Sequence, residues 1–240
     1  MLDEIKLEDI LFLDIETVPA APEYSRLSER FQKLWDKKAS QLKNSADELP
    51  ENLYQRAGIY AEFGKIICIA VGFITQSGNE KNLRIKAFSG HDEKKILSDF
   101  FQLLTKRFTS DRYRLCAHNG KEFDYPYLCR RGLVNGLKLP RILDIAGKKP
   151  WEIYQIDTMD LWKFGDYKSY TSLDLLTAIF DIPTPKDDIT GADVARVYWV
   201  ENDLDRIVKY CCKDVLSIVQ LYLRFQGENL LTNQQVAFVD

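Results

Sequence analysis

The chain has 240 residues, enough for one large domain or two small ones. A hydrophobic content of 45% with 29% charged residues suits a folded globular protein, and a net charge of −3 argues against general electrostatic coating of nucleic acid. No run approaches the roughly 18–20 apolar residues of a membrane span, and the acidic start Met-Leu-Asp-Glu-Ile-Lys-Leu-Glu-Asp does not suit a secretory signal.

Residues 9–15 (Asp-Ile-Leu-Phe-Leu-Asp-Ile) read as a first strand, after which Pro19 and Pro22 break the pattern. Residues 23–60 read as helical and polar, so 20–62 is expected to be a helical insertion between the first two strands. Lys65–Ile74 is a continuous apolar run, the mark of a buried central strand. Ser77-Gly78-Asn79 is a turn, and Leu83–Phe88 alternates like an outer strand. Asp92 opens a helix running through Phe108. Arg114–Ala117 is a short strand, His118–Glu122 the loop after it, and Asp124–Arg131 a helix ending near Gly132.

Ile156–Phe164 starts a further element; Ser172–Phe180 and Gly191–Val200 read as helices separated by a proline-rich loop. Leu204–Phe225 is a long helix with an apolar stripe of Leu204, Ile207, Val208, Cys211, Val215, Ile218, Val219 and Tyr222. The polar stretch 227–240 is expected to be a loosely ordered tail. Strands and helices in this order fit an α/β fold, a mixed sheet flanked by helices in one domain over 1–240. The five cysteines (68, 116, 129, 211, 212) form no CxxC pair and mostly sit in apolar segments. They read as reduced core residues of a cytoplasmic protein, and with only two histidines no zinc site is expected.

Three short stretches carry acids in costly settings. Asp14 and Glu16 follow Leu-Phe-Leu, and because side chains alternate along a strand they share one face. Asp124 lies in Asn119-Gly-Lys-Glu-Phe123-Asp124. Tyr210 and Asp214, in Tyr210-Cys-Cys-Lys-Asp214, are four apart and share a helix face about 60–80° from the stripe centre, where a side chain can leave the core for a cleft. Four acids meeting in one place repel unless a cation is present, and hard Mg²⁺ or Mn²⁺ prefers oxygen ligands. Two such ions about 3.5–4 Å apart can clamp the attacking and leaving oxygens of a phosphoryl transfer.

In order and wording, these stretches resemble the three exonuclease motifs of the DEDD superfamily of 3′–5′ exonucleases, tyrosine branch. They are similar to those of the proofreading domain of family B DNA polymerases, and the resemblance covers roughly residues 9–225. It implies a ribonuclease H-like fold. The 240 residues leave no room for a polymerase body, so a stand-alone bacterial form is expected. The resemblance assigns Asp14, Glu16, Asp124 and Asp214 as ligands of two Mg²⁺ or Mn²⁺ ions, and Tyr210 to orienting the water. Thr17, Asn119 and Phe123 become substrate contacts, with Phe123 stacking on the terminal base. Asp157, Thr158 and Asp160 resemble a supporting feature of the same family.

Each residue also has a plain reading: Asp124 as a helix N-cap, Tyr210 and Phe123 as packing, Asp214 as an exposed helix acid. His118 and His91 read as structural. From Lys121 to Lys149, seven basic residues (121, 130, 131, 138, 141, 148, 149) outnumber three acidic ones (122, 124, 144), which beside a phosphodiester site favours phosphate contact. Lys186 and Lys213 could meet phosphate or only water. The expected substrate is the 3′ end of single-stranded DNA, cut to nucleoside monophosphates. An exoribonuclease is the alternative, since the 2′-OH contact cannot be read here. A non-catalytic nucleic-acid-binding module is a further alternative, opposed by the presence of all four acids and Tyr210.

Overall fold

The structure is a computed structural model that describes residues 5–42, 48–78, 80–166, 170–183 and 189–239. Its frame is a six-stranded sheet. In chain order the strands are β1 (Ile10–Pro19), β2 (Gly64–Ser77), β3 (Glu80–Ser89), β4 (Arg114–Ala117), β5 (Ile156–Asp157) and β6 (Val236–Val239). They lie side by side as β5-β4-β1-β2-β3-β6. The pairs β1–β2 and β2–β3 are antiparallel; β1–β4, β4–β5 and β3–β6 are parallel.

Alternation along β1 divides the core. Leu11, Leu13 and Ile15 face one side, packed with Ile96, Phe100 and Leu104 of α3 (Glu93–Arg107) and Leu128 of α4 (Asp124–Val134). Ile10 and Phe12 face the other, packed with Val215, Ile218 and Tyr222 of α8 (Leu204–Phe225). Asp14 and Glu16 continue that second row, so the acids stand where the apolar face of β1 would otherwise carry on under α8. Two side-chain caps open the principal helices: Asp92 accepts from the Lys95 amide and Asp203 from the Arg206 amide.

Among the described residues, the stretch after β1 carries α1 (Glu29–Ala39), α2 (Pro50–Leu53) and a 3-10 turn Tyr54–Ile59, while 43–47 of the expected helical insertion lie outside the described residues. It has its own small core of Trp35, Ala39, Leu53, Tyr54 and Ala57. The Tyr127 hydroxyl donates to the Gly58 carbonyl at 2.7 Å, tying this unit to α4. Among the described residues, the short helices α5 (Thr158–Lys163), α6 (Leu173–Ile179) and α7 (Val194–Arg196) lie between β5 and α8.

Several expectations are corrected. β1 does not end at the acids but runs to Pro19, with a register shift against β2 between Glu16 and Thr17. β3 is not the outermost strand, because β6 pairs beside it. That pairing also overturns the loose tail: Gln220 of α8 bonds both the amide and the carbonyl of Leu231, and the Gln235 amide donates to the Lys81 carbonyl. Main-chain ladder bonds, which polarity does not reveal, order the segment. The helix expected over 191–200 is a single α-helical turn followed by a π-turn at Val197–Glu201. Asn79 lies outside the described residues, as do Lys186 and most of the proline-rich loop around it. No helix among the described residues is long and apolar enough to cross a membrane.

Candidate active site

The site is assembled by three elements. β1 supplies Asp14 and Glu16, the start of α4 supplies Asp124, and α8 supplies Tyr210 and Asp214. Asp214 is the largest charged neighbour of both β1 acids, and Asp124 acts on both as well. The structure therefore brings together all four acids that the sequence singled out. Burial first, and repulsion from Asp214, Glu16 and Asp124 next, holds the Asp14 carboxyl well above its ordinary range. Glu16, 8% exposed, is raised for the same two reasons. Asp124, 3% exposed, is pushed up to about 8 by burial, then by Asp157 and Asp214, while the amides of Asp124 and Ile15 oppose the shift.

Asp124 is the first residue of α4, not its cap; Phe123 holds the cap position. Its Oδ1 is buried with no hydrogen-bond partner among the described residues. Neither Asp14, Glu16 nor Asp124 has an ion pair with a lysine or arginine there. An orphaned buried carboxylate oxygen among mutually repelling acids is the environment that an oxygen-preferring divalent cation satisfies. The acids thus fit the implied Mg²⁺ or Mn²⁺.

Tyr210 is half-buried at the edge of the α8 stripe and hydrogen-bonded to Asp214. Burial, then the nearby carboxylates, raises its pKa, so it stays a neutral phenol. Cys211, next to it, is more than the core cysteine that its place in an apolar stripe suggests. Its thiol donates to Asp14 Oδ2 at 3.3 Å, and its sulfur lies within 4.8 Å of ligand atoms of Asp14 and Glu16. Its place in the stripe beside Tyr210 was the available signal.

The loop before α4 is held by Asp157. Its Oδ1 accepts from the amides of Asn119 and Met159, both at 2.9 Å, and its Oδ2 from the Lys121 amide at 3.0 Å. Asn119 sits in the left-handed region at φ 60°, with its Oδ1 buried and unpartnered among the described residues. A Cβ on Gly120 would lie 2.5 Å from the Ala117 Cβ, so only glycine fits this turn. His118 is pinned between Thr158 Oγ1 and the Thr171 carbonyl, each at 2.9 Å, and burial lowers its pKa. His91 bonds the Tyr198 hydroxyl at 2.9 Å. Both histidines are thus held by hydrogen bonds within the fold.

Beside Glu16 a cleft of about 560 Å³ opens, lined on this side by Ile15, Thr17 and Phe123. The Phe123 ring lies 5.4 Å from that of Tyr127, and Thr17 hydrogen-bonds the Tyr127 hydroxyl. The local basic excess is smaller in the fold than in the sequence. Lys121 pairs with Asp160, Arg131 with Glu93 and Arg141 with Asp111.

A mixed sheet flanked by helices, with acids converging from β1, α4 and α8, defines a domain with the exonuclease-type fold of family B DNA polymerases. The family B DNA polymerase of the hyperthermophilic archaeon Pyrobaculum calidifontis superposes with a TM-score of 0.53 at 16% identity, over 90% of this chain and 24% of that one. A DNA polymerase of Pyrococcus glycovorans is 22% identical over 149 residues, 55% of this chain and 18% of that protein. The chain thus spans less than a quarter of either polymerase. It belongs to the family described as "Predicted 3'-5' exonuclease related to the exonuclease domain of PolB", whose profile matches residues 59–236. Asp14 and Glu16 precede that stretch and Asp124, Tyr210 and Asp214 lie within it.

Proposed function

We propose that this protein is a metal-dependent 3′–5′ exonuclease that hydrolyses the last phosphodiester of single-stranded DNA and releases nucleoside monophosphates. One observation carries the reading: Asp14, Glu16, Asp124 and Asp214 converge, and Asp124 Oδ1 is buried without a partner among the described residues. The family and the polymerase fold support it.

These four carboxylates would hold two divalent ions. Bound there, the ions supply the charge that admits a phosphate and the polarisation that activates water. The protein does the positioning. Tyr210, a phenol bonded to Asp214, orients the attacking water instead of removing its proton. Phe123 presents a ring for the terminal base, and stacking accepts all four bases alike. Thr17 lines the cleft beside Glu16 and Phe123, and Asn119, in the loop that leads into Phe123, stays the proposed contact of the terminal sugar. The water oxygen bonds to phosphorus and loses a proton to solvent, while the bond from phosphorus to the 3′ oxygen of the preceding nucleotide breaks and that oxygen takes up a proton from solvent.

The test is a metal titration on paired DNA and RNA oligonucleotides of one sequence. DNA trimming restored to chelated protein by Mg²⁺ or Mn²⁺ supports the proposal. Faster trimming of RNA would make the protein an exoribonuclease, and cleavage of neither would leave a binding module.

A further inference from the structure

We infer that the helical unit between β1 and β2 belongs to the substrate surface, with Arg56 and Ile59 forming the wall of the cleft that receives the 3′-terminal nucleotide and its phosphate. This rests on the reading above and extends it to residues outside the three motifs.

The cleft begins at Glu16, and its far side is built from Arg56 and Ile59 of the 3-10 turn Tyr54–Ile59. Its volume of about 560 Å³ falls within the roughly 300–1,000 Å³ of small-molecule sites. Ile59 is a large apolar side chain left 51% exposed, in a cleft whose other wall carries the half-buried Phe123 ring. Two apolar walls beside a carboxylate cluster suit a flat base attached to a phosphate. Arg56 is exposed and makes no ion pair among the described residues, so its guanidinium can meet a phosphodiester oxygen. The third side carries only Gly191, Ala192 and Ala195, which leave the space open.

The wall is preorganised. Trp35 and Tyr54, both fully buried, brace the unit, and the Trp35 indole donates to the Pro50 carbonyl at 2.8 Å. A Cβ on Gly58 would meet the Val18 carbonyl carbon at 3.0 Å, so the turn lies directly against β1, the strand that carries the acids. The Tyr127 bond to the Gly58 carbonyl fixes it from α4. A wall held this way loses little freedom when a strand binds.

The experiment is fluorescence anisotropy of a 5′-labelled single-stranded oligothymidylate in Ca²⁺, using the full chain. Arg56→Gln should weaken binding about 3–10-fold at low salt and flatten the slope of log affinity against log salt by about 0.7, the value for one phosphate contact on a single strand. Arg107→Gln, at the end of α3, is the control and should do neither. Ala192→Phe fills the open side and should weaken binding about tenfold or more, while Mn²⁺ binding followed by electron paramagnetic resonance is unchanged. Equal behaviour of Arg56→Gln and Arg107→Gln, or wild-type binding by Ala192→Phe, overturns the inference and leaves the exonuclease reading standing. Absence of any binding by the wild-type protein overturns both.

Discussion

Asp157→Asn tests how the fold holds the second acidic motif. The carboxylate is 2% exposed and takes three amides at 2.9–3.0 Å, two on Oδ1 and one on Oδ2, and a fourth, that of Asp160, on Oδ1 at 3.4 Å. Asparagine keeps the shape but replaces one oxygen with an NH₂ group. If Oδ1 is retained, the Lys121 amide faces a donor; the other orientation orphans Asn119 and Met159. A hydrogen bond to a charged acceptor contributes about 1.5–3 kcal/mol, and the remaining bonds become neutral and weaker. Relief of repulsion on Asp124, which Asp157 pushes up, offsets part of this. The net loss should be about 2–4 kcal/mol, read as a lower urea midpoint at unchanged m-value. The loop also carries Asn119 and leads into Asp124, so turnover should drop by roughly tenfold or more, about 1.4 kcal/mol of barrier. Stability within about 0.5 kcal/mol of wild type, the range of a plain surface change, together with full turnover would refute this reasoning.

Asp14→Ala and Asp214→Ala should each remove nearly all turnover while circular dichroism stays native; more than about a tenth of the rate (~1.4 kcal/mol) in either would remove that residue from the site. Tyr210→Phe should slow single turnover with little change in oligonucleotide affinity, and an unchanged rate would return Tyr210 to a packing role. In chelated protein, Asp14, Glu16 and Asp124 are raised, so their protonated forms stabilise the fold. That stability is complete below an ordinary carboxylate pKa near ~4 and is lost as pH rises toward the Asp124 value of about 8. The Tm without metal should therefore fall across this window, and Mn²⁺ should raise it most at the upper end; a Tm rising with pH in chelator would contradict the burial argument. Phe123→Ala should weaken binding by about 1–3 kcal/mol, similarly for each terminal base, whereas strong base dependence would indicate hydrogen-bond readout.

What was legible in the sequence was what local pattern carries. The stripe of α8 gave its bounds, and its edge gave Tyr210 and Asp214 their exposure to the site. The cap Asp92 marked a helix start because a short acidic side chain before an apolar period has a local meaning, and the structure adds a second such cap, Asp203. Alternation put Asp14 and Glu16 on one face. What remained hidden depends on distant partners. β6 is ordered by a ladder to β3, and the segment before it by Gln220, which bonds Leu231 across 11 positions of chain. Resemblance marked Asp157 as a supporting residue, but not what it supports: the amides of Asn119 and Lys121, 38 and 36 positions earlier in the chain. The Cys211 contact with Asp14 needs α8 docked on β1. The cleft beside Glu16 joins β1, the turn at 54–59, Phe123 before α4 and the stretch 191–195, four segments that only the fold makes neighbours.

The most direct test of the central claim follows a 5′-labelled single-stranded DNA through time in Mn²⁺. A ladder of products shortening from the 3′ end, absent in chelator and absent with Asp14→Ala, is the expected result. Immediate release of the label as a mononucleotide, cutting of a closed circular strand, or an unchanged ladder in chelator would contradict it.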